Sequence, residues 1–176
     1  MKNNLCMNQQ CQLAAICCLV LALAGCGAAQ ATKDGSVGAA KWAFTTKIKT
    51  MNIDLLARAS LNPNRLGQSL STVIRIYQLK NANQFEKLDY TQLQHNDTDL
   101  LQPDLLMTND LVLRPEASAS ISEPMNSDTE YIGIVAFFRD ADPASQWKLV
   151  VPKKQWKQTD PVRIELRENF LMLKGG

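Results

Sequence analysis

Tyr131-Ile132-Gly133-Ile134-Val135-Ala136-Phe137-Phe138 is apolar on both of its alternating faces. A strand with one wet face would interleave polar residues, so this run reads as a central strand covered on two sides. Upstream, residues 73–79 (VIRIYQL) form a second β-branched and aromatic run. Residues 51–59 set Ile53, Leu55, Ala57 and Ala59 against Asn52, Asp54 and Arg58, which is the two-residue period of a half-buried strand. Residues 147–151, 162–166 and 110–113 add shorter runs. Six strands without long intervening helices point to a mainly β fold of two packed sheets. Pro103, Pro115, Pro124, Pro143, Pro152 and Pro161 fall between the runs, where a missing N–H disturbs no ladder.

Two segments depart from the strand pattern. Residues 82–93 (ANQFEKLDYTQL) put Phe85, Leu88 and Leu93 on one side and Glu86, Lys87 and Asp89 on the other, predicting one short amphipathic helix. Val37, Ala40, Phe44, Ile48 and Met51 recur at helical spacing while residues 44–50 also alternate, so a helix or a longer first strand fits equally.

The N-terminus is of another kind. Residues 13–24 (LAAICCLVLALA) are 12 consecutive apolar residues after a polar stretch carrying Lys2. A membrane-spanning helix needs about 20, whereas 12 suits the core of an export signal. The run ends in Leu23-Ala24-Gly25-Cys26, which resembles the lipobox of bacterial lipoproteins. That resemblance implies a signal peptide over residues 1–25 and a mature chain starting at Cys26. It also implies a covalent diacylglyceryl group and an N-acyl lipid on Cys26. Three acyl chains at about 0.8 kcal/mol per buried CH₂ hold a protein on a membrane permanently, where one chain does not. Gly27 stands where an Asp would retain such a protein at the inner membrane, which implies the periplasmic face of the outer membrane. Residues 27–38 (GAAQATKDGSVG) are small and polar; with the lipidated Cys26 they form a tether over 26–38, of reach roughly 20 Å. Residues 39–176 then make one domain.

Composition excludes several chemistries. All 5 cysteines lie in the first 26 residues, so the body of the chain has neither disulfide nor thiolate metal site. After loss of Lys2 with the signal, 18 Lys/Arg face 17 Asp/Glu, which gives no electrostatic case for nucleic acid. The single histidine, His95, sits in Gln94-His95-Asn96-Asp97-Thr98-Asp99, read as a solvated turn rather than a cation loop, because Gln102 and Thr108 stand where a calcium loop needs Gly and Glu. Gly67-Gln68-Ser69 lacks the second glycine of a nucleophile elbow and precedes a strand, not a helix. No carboxylate pair can be singled out for glycoside hydrolysis. Lys153, Lys154 and Lys157 beside Trp156 read as protection of an edge strand.

Residues 60–71 (SLNPNRLGQSLS) are the remaining unusual stretch. Hairpin loops usually take two to five residues, so a longer, turn-rich connection suggests binding. Its Asn, Pro, Arg and Gly are expected at the surface, outside the core.

Taken in order, the lipobox, the tether, Asn62-Pro63 with Gly67 and Ser69, the strand from Val73 to Leu79, Phe85, Leu113-Arg114-Pro115, the strand from Tyr131 to Arg139-Asp140 and Trp147 resemble the outer-membrane lipoprotein of the bacterial type VI secretion system, the TssJ (SciN, VasD) family. The resemblance implies a transthyretin-like two-sheet β-sandwich with short helical additions, no enzymatic activity, no cofactor and no small-molecule substrate. It implies docking of the periplasmic C-terminal region of the inner-membrane protein TssM through the loop Asn62, Pro63, Asn64, Arg65, Leu66, Gly67, Gln68 and Ser69. One departure is Leu70, where the family usually has Pro. The alternative from another class is a periplasmic lipoprotein that binds peptidoglycan or a small ligand, in a pocket lined by Trp147, Trp156 or Tyr131.

Overall fold

Among the described residues of this computed structural model, 47–140 and 144–175, eight strands form two four-stranded sheets. They are β1 (Thr50–Ala57), β2 (Thr72–Leu79), β3 (Leu105–Leu113), β4 (Ser118–Pro124), β5 (Tyr131–Phe137), β6 (Lys148–Pro152), β7 (Val162–Arg167) and β8 (Phe170–Lys174). One sheet runs β4-β1-β7-β8, the other β3-β2-β5-β6. Of the ladders, β1 with β7 is parallel and the rest are antiparallel. The signal segment 1–25, Cys26, Gly27, the rest of the tether and residues 39–46 lie outside the described residues.

The two apolar faces of β5 are both used. Ile132, Ile134, Ala136 and the following Phe138 pack between the sheets against Ile53, Leu55, Ile74, Ile76, Ile164 and Leu166. Val135 points the other way, into a second cluster with Tyr77 and Leu79 of β2 and with Phe85, Leu88, Leu93 and Leu101. Phe85, Leu93 and Leu101 come from the three short helices α1 (Asn83–Lys87), α2 (Tyr90–His95) and α3 (Asp97–Leu101) of a helical layer, and Leu88 from the link between the first two. The described residues therefore form a two-sheet sandwich with short helices on one outer face, which is why β5, lying under those helices, carries no wet side.

Several expectations need correction. Residues 82–93 are two helices rather than one, because Leu88 is extended (φ −67°, ψ 138°) and Asp89 starts α2. The Asp89 carboxylate accepts from Gln92 N–H at 2.8 Å, and Gln92 Oε1 accepts from Asp89 N–H at 2.9 Å, a reciprocal cap that outcompetes continuation of α1. Phe85, Leu88 and Leu93 are buried as expected. The stretch around His95 is solvated as expected except at Asp97, but it is helical rather than a turn. It joins α2 to α3, and Asp97 is buried with its carboxylate accepting from Arg75 Nη1 at 2.8 Å and Tyr77 O–H at 2.9 Å. β4 and β8 exceed the six expected strands, β3 begins five residues earlier than its run, and Ala59 lies beyond β1. Pro124 and Pro152 are not between strands but their last residues, each on an edge strand where a missing donor is tolerated. Lys153–Lys157 is a 3-10 helix whose Trp156 is buried, its Nε1–H donating to Asn52 O at 2.9 Å.

The sandwich has two distinct ends. The chain enters β1 beside residues 125–130 and 153–161, where Met125 N–H donates to Lys49 O at 2.8 Å and Lys153 N–H to Glu130 O at 2.8 Å. β1 then spans about 26 Å to the opposite end. There the connection 58–71, the turn 114–117, Arg139 and the β7–β8 turn meet.

Candidate functional site

The connection from β1 to β2 carries the residues singled out by sequence. It is not a hairpin: β1 and β2 belong to different sheets, so the chain must cross from one layer to the other. Part of its length is thus spent on the crossing, about 10 Å between packed sheets.

Its first half is structural. Leu61 is fully buried in the inter-sheet core. Asn62 is only 4% exposed and has φ 48°, a conformation Asn tolerates better than most residues. Its N–H donates to Glu168 O at 2.9 Å, its Nδ2 donates to Ser71 O at 3.0 Å, and its Oδ1 accepts from Arg139 N–H at 2.7 Å. Asn62 therefore ties the connection to the exit of β5 and to the β7–β8 turn. The expectation that every Asn of this loop faces solvent is wrong for this one.

The second half is an ordered projection. Pro63 and Ser69 pair as an isolated β-bridge at its base. Asn64 N–H donates to Gln68 O, and Gly67 N–H to Asn64 O, both at 2.9 Å. The Asn64 side chain does the rest: Oδ1 accepts from Leu66 N–H at 2.9 Å and from Gln68 N–H at 3.0 Å, while Nδ2 donates to Gln68 Oε1 at 2.8 Å. Gly67 has φ 76°, where a side chain would be strained. Arg65, Leu66, Gly67 and Gln68 are exposed, and Leu66 reaches 83%. Leu70, standing where the resembled family has Pro, uses the N–H that Pro lacks, donating to Leu61 O at 3.1 Å.

Around the loop's base, Glu165 of β7 accepts from Arg58 Nη2 at 2.7 Å and from Lys174 Nζ at 3.0 Å. Those two hydrogen bonds hold its carboxyl at about 2, below the usual carboxylate range. An open cleft of about 310 Å³ lies beside the loop, lined by Pro63, Ala144, Ser145, Glu168, Asn169 and Phe170. Phe170 is 37% exposed there.

The other candidates are dispersed. His95 closes α2 in the helical layer, and Ser69 forms the base of the loop projection. Trp147 stacks edge-on to Tyr90 at 5.1 Å, Trp156 is committed to Asn52, and Tyr131 begins β5 with 36% exposure. The arrangement presents a fixed projecting surface rather than a reaction centre. Among the described residues, no helix is long and apolar enough to cross a membrane.

Residues 49–169 match the family model described as type VI secretion lipoprotein, VasD, EvfM, TssJ. No curated protein sequence matches significantly. Among solved structures, a chain of a type VI membrane complex is 32% identical with TM-score 0.69, covering 73% of this chain and 99% of that one. A chain from the structure of the T6SS protein TssM C-terminal domain (869–1107) from EAEC is 31% identical with TM-score 0.66, covering 73% and 100%. The T6SS lipoprotein TssJ1 from Pseudomonas aeruginosa is 27% identical with TM-score 0.63, covering 73% and 98%.

Proposed function

The chain belongs to the type VI secretion lipoprotein family, a structural component of a secretion complex and not an enzyme, and from that membership we propose that it is the outer-membrane foot of the trans-envelope complex. In this reading Cys26 carries the lipid, Gly27 lets the protein pass to the outer membrane, and the loop from Asn62 to Ser69 docks the periplasmic C-terminal region of a TssM-like inner-membrane protein.

One observation carries the reading. The ordered projection 63–69 stands at the end of the sandwich opposite the chain's entry at Lys49. A projection that is ordered at its base and exposed at its tip offers a partner a surface that needs no further ordering on binding. A partner of TssM type is supported by the likeness to chains from a type VI membrane complex and from a TssM C-terminal domain structure.

The test is made on the full chain. Replacing residues 64–68 by a Gly/Ser linker should weaken binding to the periplasmic TssM-like region at least about tenfold. The melting temperature should hold within about 2 °C, because those residues leave the core alone. Unaltered binding with normal folding would remove the loop from the interface. For the anchor, Cys26→Ser should abolish incorporation of labelled palmitate, and Gly27→Asp should shift the protein to inner-membrane fractions of a density gradient. Palmitate on the serine variant, or an unmoved Gly27→Asp protein, would refute the respective assignment.

A further inference from the structure

We propose that Leu66 is the anchoring side chain of the docking loop, seated in an apolar pocket of the TssM-like partner, and that Asn64 is the residue that positions it. The inference rests on the docking assignment above and adds which atoms perform it.

A single exposed apolar side chain is ordinary on a protein surface. What distinguishes Leu66 is the combination of exposure with order. At 83% it exceeds Val112 at 65% and the other exposed large apolar side chains among the described residues. Yet its backbone N–H is pinned to Asn64 Oδ1 at 2.9 Å, the same oxygen holds Gln68 N–H at 3.0 Å, and Gly67 completes the turn at φ 76°. The Pro63–Ser69 bridge closes the base, and Asn62 fixes that base to Arg139 and Glu168. The tip is therefore ordered before any partner arrives, so an apolar pocket that receives Leu66 does not bear the ordering cost of the loop. Arg65, the neighbouring exposed side chain, has a long stem whose own freedom must be lost on binding. The partner surface this fits is a concave apolar pocket of one aliphatic side chain's size.

Asn64 acts through Leu66 and not by contact. Its carboxamide oxygen spans two N–H groups of the tip, a role that an Asp carboxylate can keep and an Ala cannot.

Titration of the full chain with the periplasmic region of the TssM-like protein, beside a thermal melt, tests both roles. Leu66→Ala should weaken binding at least about tenfold and Leu66→Met by less than about threefold, since Met refills an aliphatic pocket. Asn64→Ala should weaken binding about tenfold while Asn64→Asp restores it to within about threefold. The double variant Leu66→Ala with Asn64→Ala should bind no more weakly than Leu66→Ala alone, because a positioned side chain that is absent cannot be mispositioned. Wild-type affinity for Leu66→Ala overturns the anchor. Additive loss in the double variant, or failure of Asn64→Asp to rescue, overturns the positioning role. If these variants bind normally while the Gly/Ser loop fails to bind, the loop still docks and only the anchor is wrong. If the Gly/Ser loop binds normally, the docking assignment itself fails.

Discussion

A methyl group added at Gly133 would meet the Phe85 ring at 2.8 and 2.9 Å and Leu79 Cδ1 at 3.2 Å. Phe85 has nowhere to retreat, being fully buried and edge-on to Tyr77 at 5.5 Å. Gly133→Ala should therefore destabilise by about 2 kcal/mol, read as a lower urea midpoint at unchanged slope. A midpoint equal to wild type would mean the helical layer yields freely. From the sequence, both-sided burial of this strand was legible in its unbroken apolar character. That position 133 must be small was not, because the atom it makes room for lies 48 residues away in the chain. Asn62 teaches the same at the loop: its type suggests solvent, and only the convergence of Ser71, Glu168 and Arg139 upon it reveals a structural lock. The exposed half of the loop was legible, since Arg65, Gly67 and Gln68 have little use for a core.

Strands rich in β-branched and aromatic residues were readable, and a strand whose outward face is built of serines was not. β4 (SASISEP) escaped because its outward serines have weak strand preference; Ser120 Oγ donates to Asp54 Oδ1 at 2.7 Å and Ser122 Oγ to Asn52 Oδ1 at 2.8 Å, so β1 supplies its partners. The helical layer depends on a residue from the sheet beneath it. Lys148 Nζ donates to the carbonyls of Phe85, Glu86 and Leu88 at 3.2, 2.8 and 2.6 Å, closing the end of α1. Burial lowers the pKa of this ammonium, against the pull of Glu86 and Asp89. Lys148→Met would keep the stem but leave those carbonyls without their donor, a loss of about 1–2 kcal/mol. Amide exchange should accelerate in α1 and α2 before the sheets respond; equal protection in the variant would show that water replaces the ammonium at no cost.

Across the whole molecule, Glu165 links three neighbouring strands of one sheet, standing on β7 between Arg58 just past β1 and Lys174 on β8. Its folded pKa of about 2 lies below an unfolded value near 4.3. Its stabilising contribution is therefore complete above about pH 4.3 and disappears as the pH falls toward 2. Glu165→Gln should flatten that part of the stability curve, so that wild type and variant converge in denaturant midpoint between about pH 4.5 and 2. Parallel curves over that interval would assign the acid sensitivity to other carboxylates. The same sheet has a mechanical consequence. β1 runs from the chain's entry at Lys49 directly to the projecting loop, flanked by β4 antiparallel and by β7 parallel. Tension applied between a membrane anchor and a partner gripping the loop would pull on the two ends of β1 itself, so the load would run through the strand's covalent backbone while the ladders to β4 and β7 hold it in place. A sandwich loaded in that direction transmits force as a taut cord laced into its sheet.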